Sequence, residues 1–150
     1  MPINAYSQNI RISYDKAAFD EDLQMLSVNQ KIFVKGILNL AESSDAFQDQ
    51  LITRKRTKFA HPKACDVQAV EFAWGKTTGN AALFRVRFFE KTNFWVNYRW
   101  VYVFDPNQKP AREIRFLAIV KKGTEPGEWN YDFDSEIGKR IKRSVDSFCS

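Results

Sequence analysis

The run from Leu83 to Phe104 constrains the fold more than any other part of this 150-residue chain. In 83–90, Phe84, Val86 and Phe88 alternate with Arg85 and Arg87. In 94–104, Phe94, Val96, Tyr98, Trp100, Tyr102 and Phe104 share one parity, and Asn97, Arg99, Val101 and Val103 share the other. Successive strand side chains point to opposite faces, so period two predicts two strands with a buried aromatic face. A slip of one residue would send the aromatic row to solvent, so even positions must pair with even ones. The simplest register sets Glu90 opposite Phe94 across a three-residue loop. Arg85 then faces Arg99 and Arg87 faces Asn97, all on the exposed side. Like charges directly opposite cost a few tenths to about 1 kcal/mol. Such a pair therefore needs an anion between its members, or a carboxylate from elsewhere: Glu113 or Glu90 for Arg99.

The flanking segments supply helices. Residues 10–14 alternate and read as a short first strand, and Asp15 reads as an N-cap for a helix over 16–26 carrying Phe19, Leu23 and Leu26 on one face. Ser27 and Gln30 have capping-box spacing, so a second helix starts there, with Val34, Ile37, Leu38 and Ala41 recurring at helical intervals. The two are expected to form an antiparallel pair ended by Ser43-Ser44-Asp45, with a short helical turn over 46–52. Val67 to Trp74 reads as an extra strand and 75–80 as a turn. Gly75-Lys76-Thr77 does not complete a phosphate-binding P-loop, because Val70 stands where its first glycine belongs. After Asp105-Pro106-Asn107, a third strand spans 112–120. A terminal helix over 134–148 carries Ile137, Ile141, Val145 and Phe148 on one face. The order is β, α, α, three antiparallel strands, α: one α+β domain over 1–150.

Charge is unevenly spread. Net charge is +4 over 51–80 and +6 over 81–123, against −3 over 1–50 and −2 over 124–150. A basic block flanked by acidic ends suits a polyanion or an acidic protein partner, although a lysine-rich solvated surface has the same composition. Two cysteines and one histidine, His61, are too few for a Cys/His zinc site, and no close-spaced acidic motif suggests a carboxylate metal site. No cofactor is expected. No basic region followed by an apolar run opens the chain, and no window approaches the roughly 20 apolar residues of a membrane helix. A reduced, cytoplasmic protein without membrane contact is the expectation.

The run Leu83-Phe84-Arg85-Val86-Arg87-Phe88-Phe89, then Tyr98-Arg99-Trp100-Val101-Tyr102, then Ile114 to Lys122, resembles the RelE/ParE superfamily of toxins. Those proteins share a basic-apolar-basic strand, a Tyr-Arg-x-x-Tyr strand and a third strand ending in a basic turn. The preceding strand and helix pair and the terminal helix stand in matching order, leaving about 45–80 as an insertion. The stretch from Lys121 to Arg143 is weakly similar to the YafO-type branch. The resemblance implies a RelE-like fold: an antiparallel sheet with an N-terminal helix pair on one face and a C-terminal helix. It implies the toxin of a toxin–antitoxin system, an mRNA interferase that cleaves messenger RNA at the ribosome by 2′-hydroxyl attack, without metal. The implied partners are a cognate antitoxin, messenger RNA and the ribosome.

By position, the resemblance assigns catalytic roles to Arg85, Arg87, Arg99 and Lys122, with Lys121 as the alternative to Lys122. Arginines suit the task because a guanidinium forks onto two phosphoryl oxygens and stays charged. RNA contacts are expected from Lys91, Arg54, Lys55, Arg56, Lys121 and, by base stacking, Trp129. RelE-type cleavers place a tyrosine near the start of the last helix, where this chain has Asp134. Tyr131, three residues earlier, either substitutes as the acid–base residue or is a surface loop aromatic. Asp134 and His61 are the other proton-transfer candidates, a lone loop histidine being more often incidental. Two other readings use the same fold. One is a gyrase inhibitor, which would not need three arginines on one face. The other is an RNA- or protein-binding module that has lost catalysis.

Overall fold

The computed structural model describes residues 10–53, 67–71, 75–78, 81–90, 93–105 and 113–149. Among these the elements run β1 (Arg11–Tyr14), α1 (Lys16–Leu23), α2 (Val28–Ser43), α3 (Asp45–Thr53), β2 (Val67–Glu71), β3 (Gly75–Thr78), β4 (Ala81–Glu90), β5 (Tyr98–Phe104), β6 (Glu113–Lys121) and α4 (Glu136–Cys149). The fold is α+β. Its open, mixed sheet has a spine ordered β1-β6-β5-β4, with β2 and β3 each pairing with β4 along the far side. β1 runs parallel to β6, and the remaining pairs are antiparallel.

Each face of the sheet buries its own apolar cluster. Phe84, Val86, Phe88, Trp100, Tyr102, Phe104, Ile114 and Phe116 pack with Phe19 of α1, Val34 and Ile37 of α2, and Phe47 and Leu51 of α3. Leu83, Val101, Val103, Leu117, Ala118 and Val120 pack with Trp129, Ile141 and Val145 on the other side. A β-bulge reconciles the two. Val101 pairs with Ala118 but Tyr102 pairs with Phe116, so Leu117 and Ala118 both turn toward α4 while Phe116 and Ile119 keep the opposite face.

Ser27 and Gln30 do close a capping box at the start of α2. The two expected helices lie on the same face of the sheet, each with its main contacts elsewhere. α1 lies on β6, and α2 lies against α3 and β1. α1 ends at Leu23, and Leu26 reaches the core from a turn. Residues 75–78, expected as a turn, form β3 because the start of β4 offers them an unpaired edge. The 45–80 segment is structural in part: the Tyr102 hydroxyl donates to Leu51 O at 2.9 Å, beneath α3.

The hairpin register needs correction. Residues 95–97 form a 3-10 turn and β5 begins at Tyr98. Trp95 explains this: its odd parity would have left it on the arginine face of a continuous strand. The turn instead buries it in the larger cluster, stacked on Phe33 with ring centres 5.1 Å apart. The ladder consequently sets Arg85 opposite Val101 and Val86 opposite Trp100. Even still pairs with even, but Arg85 does not face Arg99.

Candidate phosphate-binding site

Arg85, Arg87 and Arg99 have the parity of Leu83, Val101 and Val103, so all three lie on the α4 side of the sheet. That side is covered by α4 and by the loop that leads into it, so the arginines are not on an open surface as expected. Arg85 and Arg87 are half-buried. Arg99 is only 8% exposed. Its Nη1 donates to Val96 O and Tyr98 O, each at 3.1 Å, which fixes the guanidinium under the 3-10 turn. Burial pushes the pKa of Arg99 down. The neighbouring Tyr131 side chain opposes the shift, while Arg87 and Arg85 reinforce it. Four groups thus crowd one patch, three of them cationic.

The loop after β6 brings Lys122 and Tyr131 to the same place. Lys122 N donates to Asn97 O at 2.8 Å, Trp129 N to Lys121 O at 2.9 Å and Gly123 N to Trp129 O at 3.1 Å, and Lys122 and Trp129 form an isolated parallel bridge. The loop is therefore pinned to β6 and to the 3-10 turn. Tyr131 sits in the left-handed region at φ 62°, a conformation that costs a non-glycine residue roughly 1–3 kcal/mol and needs surrounding structure to hold it. Its ring is flanked by cations: Arg85 lies 4.6 Å from the ring centre and Lys122 Nζ lies 5.6 Å away. Trp129 packs edge-on against it at 5.1 Å.

Gly138 holds the arrangement from behind. A β-carbon there would stand 2.2 Å from Asp132 O and 2.4 Å from Phe133 Cα, so only glycine lets α4 lie against this loop. The expectations had not included Gly138. Its signal was a lone glycine inside an otherwise helical apolar pattern, which commonly marks close backbone packing.

The other expected site residues fare differently. Trp129 is buried in the smaller cluster and donates from Nε1 to Asp132 O at 3.0 Å, so it is a core residue and not a platform for bases. Lys121 is paired with Glu128 at 3.6 Å, which leaves Lys122 as the cation directed at the site. Asp134 is exposed, its backbone N–H donating to Asp132 Oδ1 at 2.9 Å. Glu113 is engaged by Arg11 and Arg115, at 2.9 Å and 3.0 Å, and so was not the expected partner of Arg99. Arg54, Lys55, Arg56, His61 and Lys91 lie outside the described residues. No group of three or more His, Cys, Asp or Glu side chains that could hold a metal occurs among the described residues. No described helix is long and apolar enough to cross a membrane.

Chemically, the patch can receive an anion. Lys122 is exposed, Arg85 and Arg87 are half-buried, and Arg99 is buried, so the cations of the patch differ in their access to solvent. No protein-family model matches the chain, and no curated protein or solved structure matches it significantly.

Proposed function

We propose that this chain is the toxin of a toxin–antitoxin system: a RelE-like, metal-independent endoribonuclease that cleaves messenger RNA at the ribosome, in the cytoplasm. The observation that supports this reading is the convergence of Arg85, Lys122 and Arg99 on Tyr131. Two separate strands, β4 and β5, and the loop after β6 contribute these groups, and Tyr131 on that loop holds a left-handed backbone.

In the proposed reaction the ribose 2′-oxygen forms a bond to phosphorus as the bond to the 5′-oxygen breaks. One proton leaves the 2′-hydroxyl and another reaches the departing oxygen. Arg85, Arg87 and Lys122 neutralise charge growing on the phosphoryl oxygens, where preorganised donors have most effect. Arg99 holds the Tyr131 hydroxyl in place, and Tyr131 serves one of the two proton transfers. Arg54, Lys55, Arg56, Lys91 and Lys121 add RNA contacts in this reading. A cognate antitoxin is the protein partner, with an acidic segment over Arg85 and Lys122.

A second reading has one observation in its favour. The burial of Arg99, with Nη1 committed to two backbone carbonyls, suits a structural cation in a site that binds phosphate without cutting. Cleavage in a cell-free translation system separates the two. Site-specific cuts within a translated message, absent when translation is blocked, support the nuclease. Salt-sensitive RNA binding without cuts supports the binding module.

A further inference from the structure

On the side of the sheet opposite the arginines, α1, α2 and the outer strand β1 enclose an open groove of about 650 Å³. Its floor and walls are apolar: Ile12, Phe19, Leu23, Val34 and Leu38, with Tyr14 43% exposed at the lip. One stripe of α2 runs along it from Lys31 to Glu42. At 1.5 Å per residue that stripe is about 16 Å long, or three helical turns. At about 100° per residue, Val28 and Ile32 fall beside Lys35 and Asn39 on the circumference of α2, and they stand 73% and 64% exposed. The apolar surface therefore continues over the shoulder of α2, where a soluble domain gains nothing by displaying it.

The rim is basic. Lys16, Lys31 and Lys35 border the groove and are exposed, with Glu42 at the far end. None of the three lysines belongs to an ion pair among the described residues, unlike Arg11, Arg115, Lys121 and Arg140. Three unpaired ammonium groups around an apolar trough complement one kind of occupant. From this we infer that the groove docks an acidic amphipathic helix of about three turns from a partner protein, its apolar face on Leu38 and Tyr14 and its carboxylates on the lysines. The surface is distinct from the phosphate-binding patch, since the sheet lies between them. A partner can occupy it without covering Tyr131.

The test uses two synthetic helices of about 18 residues, long enough to have some helicity alone: one with leucines flanked by glutamates, the other with the same leucines flanked by lysines. The acidic peptide should bind the full chain and gain helicity. It should shift the amide resonances of Tyr14, Lys31 and Leu38. Reversing two charges in the K31E/K35E variant should weaken it about tenfold, as expected from losing several exposed ion pairs, and should favour the lysine peptide instead. Arg85→Ala should leave this binding unchanged. Equal binding of both peptides, a footprint away from α2, or occupation of the groove by a second copy of the chain (self-association abolished by K31E/K35E) would each overturn the inference.

Discussion

Asp22 of α1 and Arg140 of α4 meet at 2.9 Å around the edge of the sheet, joining the layers on its two faces. β1 covers only the first half of β6, so the N–H of Ile119 would otherwise be bare. Asp22 Oδ2 accepts from it at 2.8 Å and from Arg140 Nη2 at 3.0 Å. Burial pushes the Asp22 carboxyl up to about 6, against the attraction of Arg140 and the bond from Ile119.

A pH dependence follows. The folded chain holds the Asp22 proton more tightly than the unfolded chain, so this residue's contribution is full below about pH 4. It declines as pH rises to about 6, by roughly 2–3 kcal/mol. Glu113 has the opposite sense. Burial would raise its pKa, but hydrogen bonds from Ser13, Arg11 and Arg115 outweigh that and hold it down. Its stabilisation is present above the ordinary glutamate range and is lost as pH falls. Urea unfolding of the parent and Asp22→Asn between pH 4 and 7 isolates the first effect. The parent's stability relative to the variant should fall across pH 4–6; a constant difference would contradict it.

Trp100 is fully buried, between Phe88 at 4.7 Å, Trp95 at 5.5 Å and Phe116 at 6.2 Å, ring centre to ring centre. Trp100→Ala should cost about 3–5 kcal/mol, the range for removing a large aromatic from a core that closes incompletely. Its indole N–H is buried with no hydrogen-bond acceptor among the described residues. Trp100→Phe removes that unsatisfied donor, so it should cost much less than the alanine variant. Comparing both by urea denaturation checks the two statements together.

Much of this was legible in the sequence, and the losses have physical causes. Parity placed Arg85, Arg87 and Arg99 on one face and the aromatic row on the other, because period two survives any even shift of register. The shift itself was not legible. It depends on Trp95 gaining more from burial beside Phe33 than from staying in a strand. The covering of the arginine face was also hidden. That depends on where α4 docks, and Gly138 permits the docking through a contact six residues back, at Asp132. Tyr131 could be named as a candidate from the helix alignment. Its left-handed backbone and its two flanking cations required the folded loop.

Gly138→Ala tests whether loop and helix are one unit. The added methyl meets backbone atoms, which cannot rotate away as a side chain would. The variant should lose about 1–3 kcal/mol, as overpacked sites do. It should also release Tyr131 from Arg85 and Lys122, so cleavage should fall although no site residue is changed. A stability loss with unchanged cleavage would mean that the loop tolerates displacement.

The arginines should separate by burial. Arg85→Ala and Arg87→Ala remove half-buried cations and should fold as the parent does, with cleavage lowered roughly 10²–10³-fold, the loss typical of one preorganised donor. Lysine at either position should recover only part, since an ammonium does not fork onto two oxygens. Arg99→Ala is different. It empties a buried position and leaves Val96 O and Tyr98 O without their donor, so it should destabilise by about 1–3 kcal/mol as well as reduce cleavage. Tyr131→Phe keeps the ring between Arg85 and Lys122 and deletes only the hydroxyl. If the hydroxyl moves a proton, the cleavage rate should drop at least as far as in Arg85→Ala while RNA binding and stability stay near parental. If the ring merely spaces the cations, the rate should not change. Cleavage of a translated message, RNA affinity and circular dichroism on the four variants make the distinction. Undiminished cutting by both Arg85→Ala and Arg87→Ala would remove the patch from the reaction altogether.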